Sequence, residues 1–200
     1  MLVIALVSQK GGAGKSTLAG NLTAYASTAS KTAIIDLDPQ ASISTWHSLR
    51  DKDDITLLTS HPPLLAKQIK KLKSEGYDLC VIDTPPHNST AAANAINEAD
   101  LTIIPVRPSS FDLVAAQATF DLLGNNLGAV IINAVPSGSA VEESAIDFVK
   151  ESGVRLLGTV GQRIAFQHAS NSGLGVTEYE GSGKASSEIK KIWKGIESIL

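Results

Sequence analysis

The stretch VSQKGGAGKST, residues 7–17, carries the groups a chain needs to hold a polyphosphate. The phosphate-loop pattern G-x-x-x-x-G-K-[ST] is met at Gly14, Lys15 and Ser16, but Gln9 stands where its first glycine belongs. Gly11, Gly12 and Gly14, with Ala13 between them, let backbone N–H groups curl around an anion. A helix starting near Lys15 adds its positive end. Lys15 is expected to neutralise the β- and γ-phosphates, the Ser16 hydroxyl to ligate Mg²⁺ and the Thr17 hydroxyl to reach the α-phosphate. Lys10 is a second cation within reach of the same phosphates, and the standard pattern does not call for it.

Two further stretches supply carboxylates. In DLDPQ, residues 36–40, alternation puts Asp36 and Asp38 on one face of a strand end. Two like charges so close are costly unless a cation or polar ligand balances them. Asp38 is expected to orient or activate an attacking water and Asp36 to support a metal's water shell. A helix cap before Pro39 would explain Asp38 alone but not the pair. In CVIDTPP, residues 80–86, an aspartate closes an apolar run, so Asp83 is expected to hold Mg²⁺ through water. Thr84, Pro85 and Pro86 would form a stiff loop near the γ-phosphate. Asn133, in NAVP, is a candidate for adenine contact or an ordinary strand-end cap; the N-K-x-D pattern of guanine readers is missing.

These residues share a position, each following a short apolar run. The runs are residues 2–7, 32–37, 55–59, 78–83, 100–106, 128–133 and, with a weaker pattern, 155–160. They are continuous rather than alternating, as strands buried on both faces are. The segments between them are long enough for crossover helices. The expected fold is α/β: a single-domain P-loop NTPase over residues 1–200, its mostly parallel twisted sheet covered by helices on both faces. Ligands in such sheets bind beyond the carboxyl ends of the strands, where the chemistry-bearing residues fall. Residues 173–187 read as the most loop-like segment, followed by a terminal helix.

Composition narrows the function classes. A chain of 200 residues, 43% hydrophobic, suffices for one core. A net charge of −3 confines any nucleic-acid contact to a local patch. The single cysteine, Cys80, sits in an apolar run and reads as packing; it rules out a disulfide framework, which suits a reducing cytosol. No run approaches the ~18 to 20 apolar residues of a membrane span. Residues 2–7 lead straight into the glycine loop, so a removable signal peptide is rejected. The four histidines show no metal-ligand spacing.

KGGAGKST, DLDPQ and DTPP together resemble the Walker A, A′ and B motifs of the deviant Walker ATPases, specifically the ParA family. IPVRPSSFDLVAA (104–116) and QRIAFQHASNSGLGVTE (162–178) are similar to its short, ParF-like branch. Larger members carry an N-terminal helix-turn-helix domain; nothing like it precedes the first strand here, so operator-specific repression is not expected. The resemblance implies ATP and Mg²⁺ as ligands and slow hydrolysis to ADP and phosphate. It implies that Lys10 reaches across a homodimer to the phosphates held by the other subunit. A cation supplied in trans would offset the repulsion between two facing triphosphates, much as an arginine finger does. Lys10, Lys15 and Asp38 are then the catalytic group.

The resemblance further implies nonspecific DNA binding by the ATP-bound dimer, release when a ParB-like or other cargo-adaptor protein stimulates hydrolysis, and a cytoplasmic, nucleoid-associated location. Cargoes of the family include plasmids, chromosomal origins, carboxysomes and chemoreceptor arrays. In SSEIKKIWKGIESIL the apolar residues share one helical face, while Lys190, Lys191 and Lys194 cluster opposite as candidate DNA contacts, with Arg163 a further candidate. KQIKKLK (67–73) reads as a solvated basic helix. The alternative is a MinD-like membrane-associated ATPase with its last helix on a lipid surface. Cluster-bridging relatives need two or more cysteines per subunit and are excluded by the single one. A tyrosine-kinase relative would end in a tyrosine-rich tail, which three scattered tyrosines do not make.

Overall fold

The computed structural model describes residues 1–138 and 141–200. Seven strands form one sheet: β1 (Leu2–Leu6), β2 (Thr32–Asp36), β3 (Ile55–Thr59), β4 (Leu79–Asp83), β5 (Leu101–Val106), β6 (Gly128–Val135) and β7 (Arg155–Gly161). Every pairing is parallel, in the order β3-β2-β4-β1-β5-β6-β7. The central strands are buried throughout, which is why their sequences run apolar without alternation. The edge strands β3 and β7 are only partly covered, so residues 155–160 give the weaker pattern.

Successive side chains of each strand enter opposite layers. Val3 and Ala5 join the cluster under α3 (Leu65–Ser74), α4 (Ser89–Glu98), α5 (Ser110–Leu123) and α6 (Val141–Glu151). Ile4 and Leu6 join the cluster under α1 (Lys15–Ala26), α2 (Ser42–Ser48), α7 (Ile164–Asn171), α8 (Val176–Tyr179) and α9 (Lys184–Glu197). The chain leaves β1 for β2 on one side and later crosses from β4 to β5 on the other. The loops beyond β1, β4 and β5 therefore diverge and leave a crevice at their carboxyl ends.

One expectation is corrected. The loop-like segment 173–187 contains α8 and the start of α9. Its glycines serve close packing rather than flexibility: a Cβ on Gly175 would stand 2.8 Å from that of Ala24. Val176 N donates to Asn21 Oδ1 at 2.8 Å, and Glu178 accepts from the buried Arg50. Tertiary contacts override a composition that locally favours a loop. The terminal helix is amphipathic as expected, with Ile189, Ile192 and Ile196 buried.

Candidate functional site

The glycine loop leaves β1 and enters α1 at Lys15. Gly12 and Gly14 adopt positive φ, 75° and 97°, which a side chain would resist. At Gly14 the restriction is double, because a Cβ would lie 2.1 Å from Asn133 Nδ2. That amide donates to Ala13 O at 2.8 Å, so Asn133 braces the loop from the end of β6. By contrast a Cβ on Gly11 would make only ordinary contact with Pro86, and one on Gly12 would meet nothing. The chain itself does not fill the space above those two residues.

The loop borders a cavity of about 480 Å³, lined at one end by Gly11, Gly12, Lys15, Ser16, Asp38 and Pro86. Thr17 also lines it, and Asn133 at the end of β6, with Gly161, Gln162, Arg163 and Phe166 at and after the end of the edge strand β7, forms the far end, on the side of the sheet away from β2 and β4. The sequence-predicted nucleotide residues other than Lys10 and Ala13 thus meet at one cleft. Lys10 points into a small neighbouring cleft, and Ala13 is buried beneath the loop.

The charges at the near end are out of balance. Asp83 is fully buried, and among the described residues neither carboxylate oxygen has a hydrogen-bond partner within ordinary geometry. Burial pushes its pKa up to about 7; Asp36 and Asp38 push the same way, while the neighbouring Ser16 hydroxyl and Lys15 oppose them. Lys15 is buried too, and desolvation lowers its pKa against the pull of Asp83 and Asp38. A buried carboxylate without donors beside a lysine and a hydroxyl fits a small, hard divalent cation that arrives with water and phosphate ligands. Ser16 and Asp83 are the residues that could hold it. Among the described residues no group of three or more His, Cys, Asp or Glu could hold a metal by itself.

Asp36 also has a role within the chain. Its Oδ1 accepts from Asp38 N at 3.0 Å, and its Oδ2 accepts from Ser44 N at 3.0 Å and Ser44 Oγ at 2.6 Å. Both oxygens are engaged, and the carboxylate fastens the start of α2 and the Asp38 loop. Asp38 lines the cavity, half-buried, and accepts from Gln40 N at 2.9 Å. The helix N-terminus is thus held by Asp36, not Asp38. Thr84 is likewise committed, donating to Leu6 O at 2.8 Å, while Pro86 reaches the cavity. His87 N donates to Gln9 O at 3.1 Å and ties the loop after β4 to the start of the glycine loop.

Lys10 is half-exposed, but its ammonium is not free. Its Nζ lies 2.6 Å from Asp112 Oδ1 at the start of α5. Arg163 faces the far end of the nucleotide cavity and is gripped by Glu188 of α9 through Nε at 3.0 and 3.1 Å. That pairing withdraws it from the set of free surface cations. Lys190 donates to Gly181 O at 2.8 Å, whereas Lys191 and Lys194 are exposed. Sequence reasoning missed Arg107, Asp112, Gln162, Phe166 and Glu188. Arg107 and Gln162 follow the ends of β5 and β7, a signal that was available; Asp112 and Glu188 are brought in by tertiary packing alone.

A cleft of this kind, at the switch point of a parallel sheet and cradled by a glycine loop, defines a P-loop nucleotide-binding domain. The sequence matches the CobQ/CobB/MinD/ParA nucleotide binding domain over residues 4–176, and the chain belongs to that family. It is 27% identical to the maintenance of carboxysome distribution protein A of Halothiobacillus neapolitanus, over 94% of this chain and 93% of that protein. The structure of apo McdA from Cyanothece superposes with a TM-score of 0.83 at 22% identity, covering 98% of this chain and 99% of the other. The cell division ATPase MinD of Pyrococcus furiosus gives the same TM-score at 21% identity, covering 100% and 99%. These two likenesses establish the fold.

Proposed function

We propose that the chain is an ATP-driven positioning protein whose Mg-ATP-bound form is a homodimer. One observation carries the reading: the chain places two lysines at one phosphate loop and uses them differently. Lys15 is buried beside Asp83 and Asp38, which β4 and β2 bring to the loop, while Lys10 keeps 41% of its side chain exposed on the loop's outer edge, beside the uncovered Gly11 and Gly12. A cation there suits a triphosphate presented from outside by a second copy. Bound nucleotide would place its phosphates over Gly11–Thr17, with Lys15 against the β- and γ-phosphates. Mg²⁺, held by Ser16 and through water by Asp83, would neutralise charge on the phosphate oxygens. Asp38 orients the attacking water, Lys10 stabilises the charge that develops on the partner's phosphate, and Asn133 stands between loop and adenine.

ATP thus holds two chains together, and hydrolysis releases them. The dimer doubles the exposed Lys191 and Lys194, and phosphate contacts multiply across a two-fold axis. Its proposed partners are nonspecific nucleoid DNA and a cargo-adaptor protein that triggers hydrolysis in the cytoplasm. The carboxysome-distribution relative makes a carboxysome one candidate cargo. The MinD-like reading places the same dimer on a lipid surface. It is the weaker one, because the apolar face of α9 is spent on the core and, of that helix and its end, Leu200 is the large apolar residue left exposed. No described helix is long and apolar enough to cross a membrane.

The test is Lys10→Ala. The variant retains nucleotide affinity but loses ATP-dependent dimerisation in sedimentation velocity; a variant that pairs normally sinks the proposal. Mobility shift on DNA against liposome pelleting, each with ATP, separates the two surfaces.

A further inference from the structure

Lys10 can reach a second copy only by leaving Asp112. The carboxylate it would leave is 12% exposed and lies at the first turn of α5, where its Oδ2 accepts from the Ser109 hydroxyl. A carboxylate so enclosed does not part with its counter-ion freely. Arg107 stands next to it, at the residue following β5. With Lys10 and Asp112 it lines a small cleft, and its other side borders the nucleotide cavity. Among the described residues the Arg107 side chain has no hydrogen bond or ion pair, and it is exposed. Burial works against the ionised form of Asp112, but the Lys10 contact, the Ser109 hydroxyl and, least of these, the charge of Arg107 together hold its pKa below the ordinary carboxylate value. One carboxylate therefore has two cations within its field and holds one of them.

We infer that Arg107 and Asp112 are positioning residues for Lys10, acting by exchange: Asp112 holds Lys10 in the lone chain, and Arg107 takes its place on Asp112 when Lys10 moves to the phosphates of a second copy. This rests on the reading of Lys10 as the group lent in trans. It adds a reason why the transfer is reversible. The departing ammonium leaves no orphaned charge, and the guanidinium, a planar fork suited to carboxylate, closes on a partner already beside it. When the second copy departs, Lys10 returns and Arg107 is freed again. A single exposed arginine at the rim of a nucleotide cleft could instead touch the nucleotide directly. The two roles differ in what Asp112 does to them.

The experiment compares Arg107→Ala, Asp112→Asn and the double variant in the full chain. Affinity for fluorescent ADP is measured by titration, and dimerisation by sedimentation velocity with a non-hydrolysable ATP analogue. Arg107→Ala is expected to leave ADP affinity unchanged and to weaken dimerisation about tenfold, the scale of coupling between neighbouring charges. Asp112→Asn alone dimerises at least as well as the wild type, because nothing retains Lys10. The double variant recovers to the level of Asp112→Asn, an epistasis that a merely structural role for Arg107 would not give. The inference is overturned if Arg107→Ala dimerises normally, if it loses ADP affinity, or if Asp112→Asn fails to rescue it. Normal pairing by Lys10→Ala would instead sink the underlying reading, which makes the two failures distinguishable.

Discussion

The two ends of the nucleotide cleft are built on opposite principles. At the near end the chain buries charge without balancing it. Among the described residues no donor bonds Asp83 in ordinary geometry, with the Ser16 hydroxyl only nearby; Lys15 is desolvated beside it, and Gly11 and Gly12 leave open space. At the far end Asn133 and Arg163 are both held by the protein. Asn133 donates to Ala13 O, Arg163 is gripped by Glu188, and Glu188 Oε2 also accepts from Gly161 N at 3.2 Å. Unsatisfied buried groups are costly and persist where a ligand completes them. Binding free energy is therefore expected to concentrate at the near end, with the far end acting as a preformed wall. Substitutions should separate the two.

The largest effect is expected where the two ends touch. Gly14→Ala adds a Cβ at φ 97° and drives it into Asn133 Nδ2. Backbone strain and the displaced brace together should cost roughly 2 to 4 kcal/mol of stability and abolish nucleotide affinity. Gly11→Ala is the matched control, since its Cβ meets only ordinary contact within the chain. Thermal unfolding and nucleotide titration of the pair check the comparison. If Gly11→Ala unfolds as early as Gly14→Ala, the loop is simply intolerant and the two positions teach nothing about Asn133.

Asp83→Asn should show the opposite behaviour, a loss of function with a gain of stability. The Asp83 pKa is raised to about 7 in the folded chain against an ordinary value near 4, so the folded state holds a proton that the unfolded state has released. Stability of the nucleotide-free wild type thus falls as pH rises from about 4 to about 7, then levels off. The asparagine variant lacks this fall. Its advantage should grow across that window to roughly 2 to 4 kcal/mol at pH 8. Urea denaturation at pH 4.5 and 8 without Mg²⁺ measures it, and hydrolysis assays should find the variant inactive. A wild type whose stability stays flat over the window would mean that Asp83 is paired in solution.

The contrast between the ends also governs what could be read in the sequence. All seven strands were legible, because buried parallel strands write their burial as continuous apolar runs. The near end was legible for a related reason: its groups follow strand ends and depend on local spacing, as Lys15, Ser16, Asp38 and Asp83 do. Asp36 shows the limit. Its place at a strand end was legible, but its engagement with Ser44 depends on how α2 returns to the sheet, and no spacing rule encodes that. The far end was largely illegible. Glu188 lies 25 residues from Arg163, on a helix whose pattern announces only an apolar face and a basic one. The pairing of Lys10 with Asp112 was hidden in the same way, since it joins the loop after β1 to the helix after β5.

The smallest expected effect tests the far end. Glu188→Gln keeps shape and polarity but removes the charge that holds Arg163. The pair is partly open to solvent, 31% and 19% exposed, so its loss should cost only about 0.5 to 1 kcal/mol. Affinity should fall by a factor of about two to five, and by the same factor for ATP and ADP, because the Arg163 wall is remote from the γ-phosphate site. Equality between the two nucleotides is the informative measurement. A change confined to ATP would mean that α9 senses the γ-phosphate, which would couple the helix carrying Lys191 and Lys194 to hydrolysis and join the two ends of the cleft into one device.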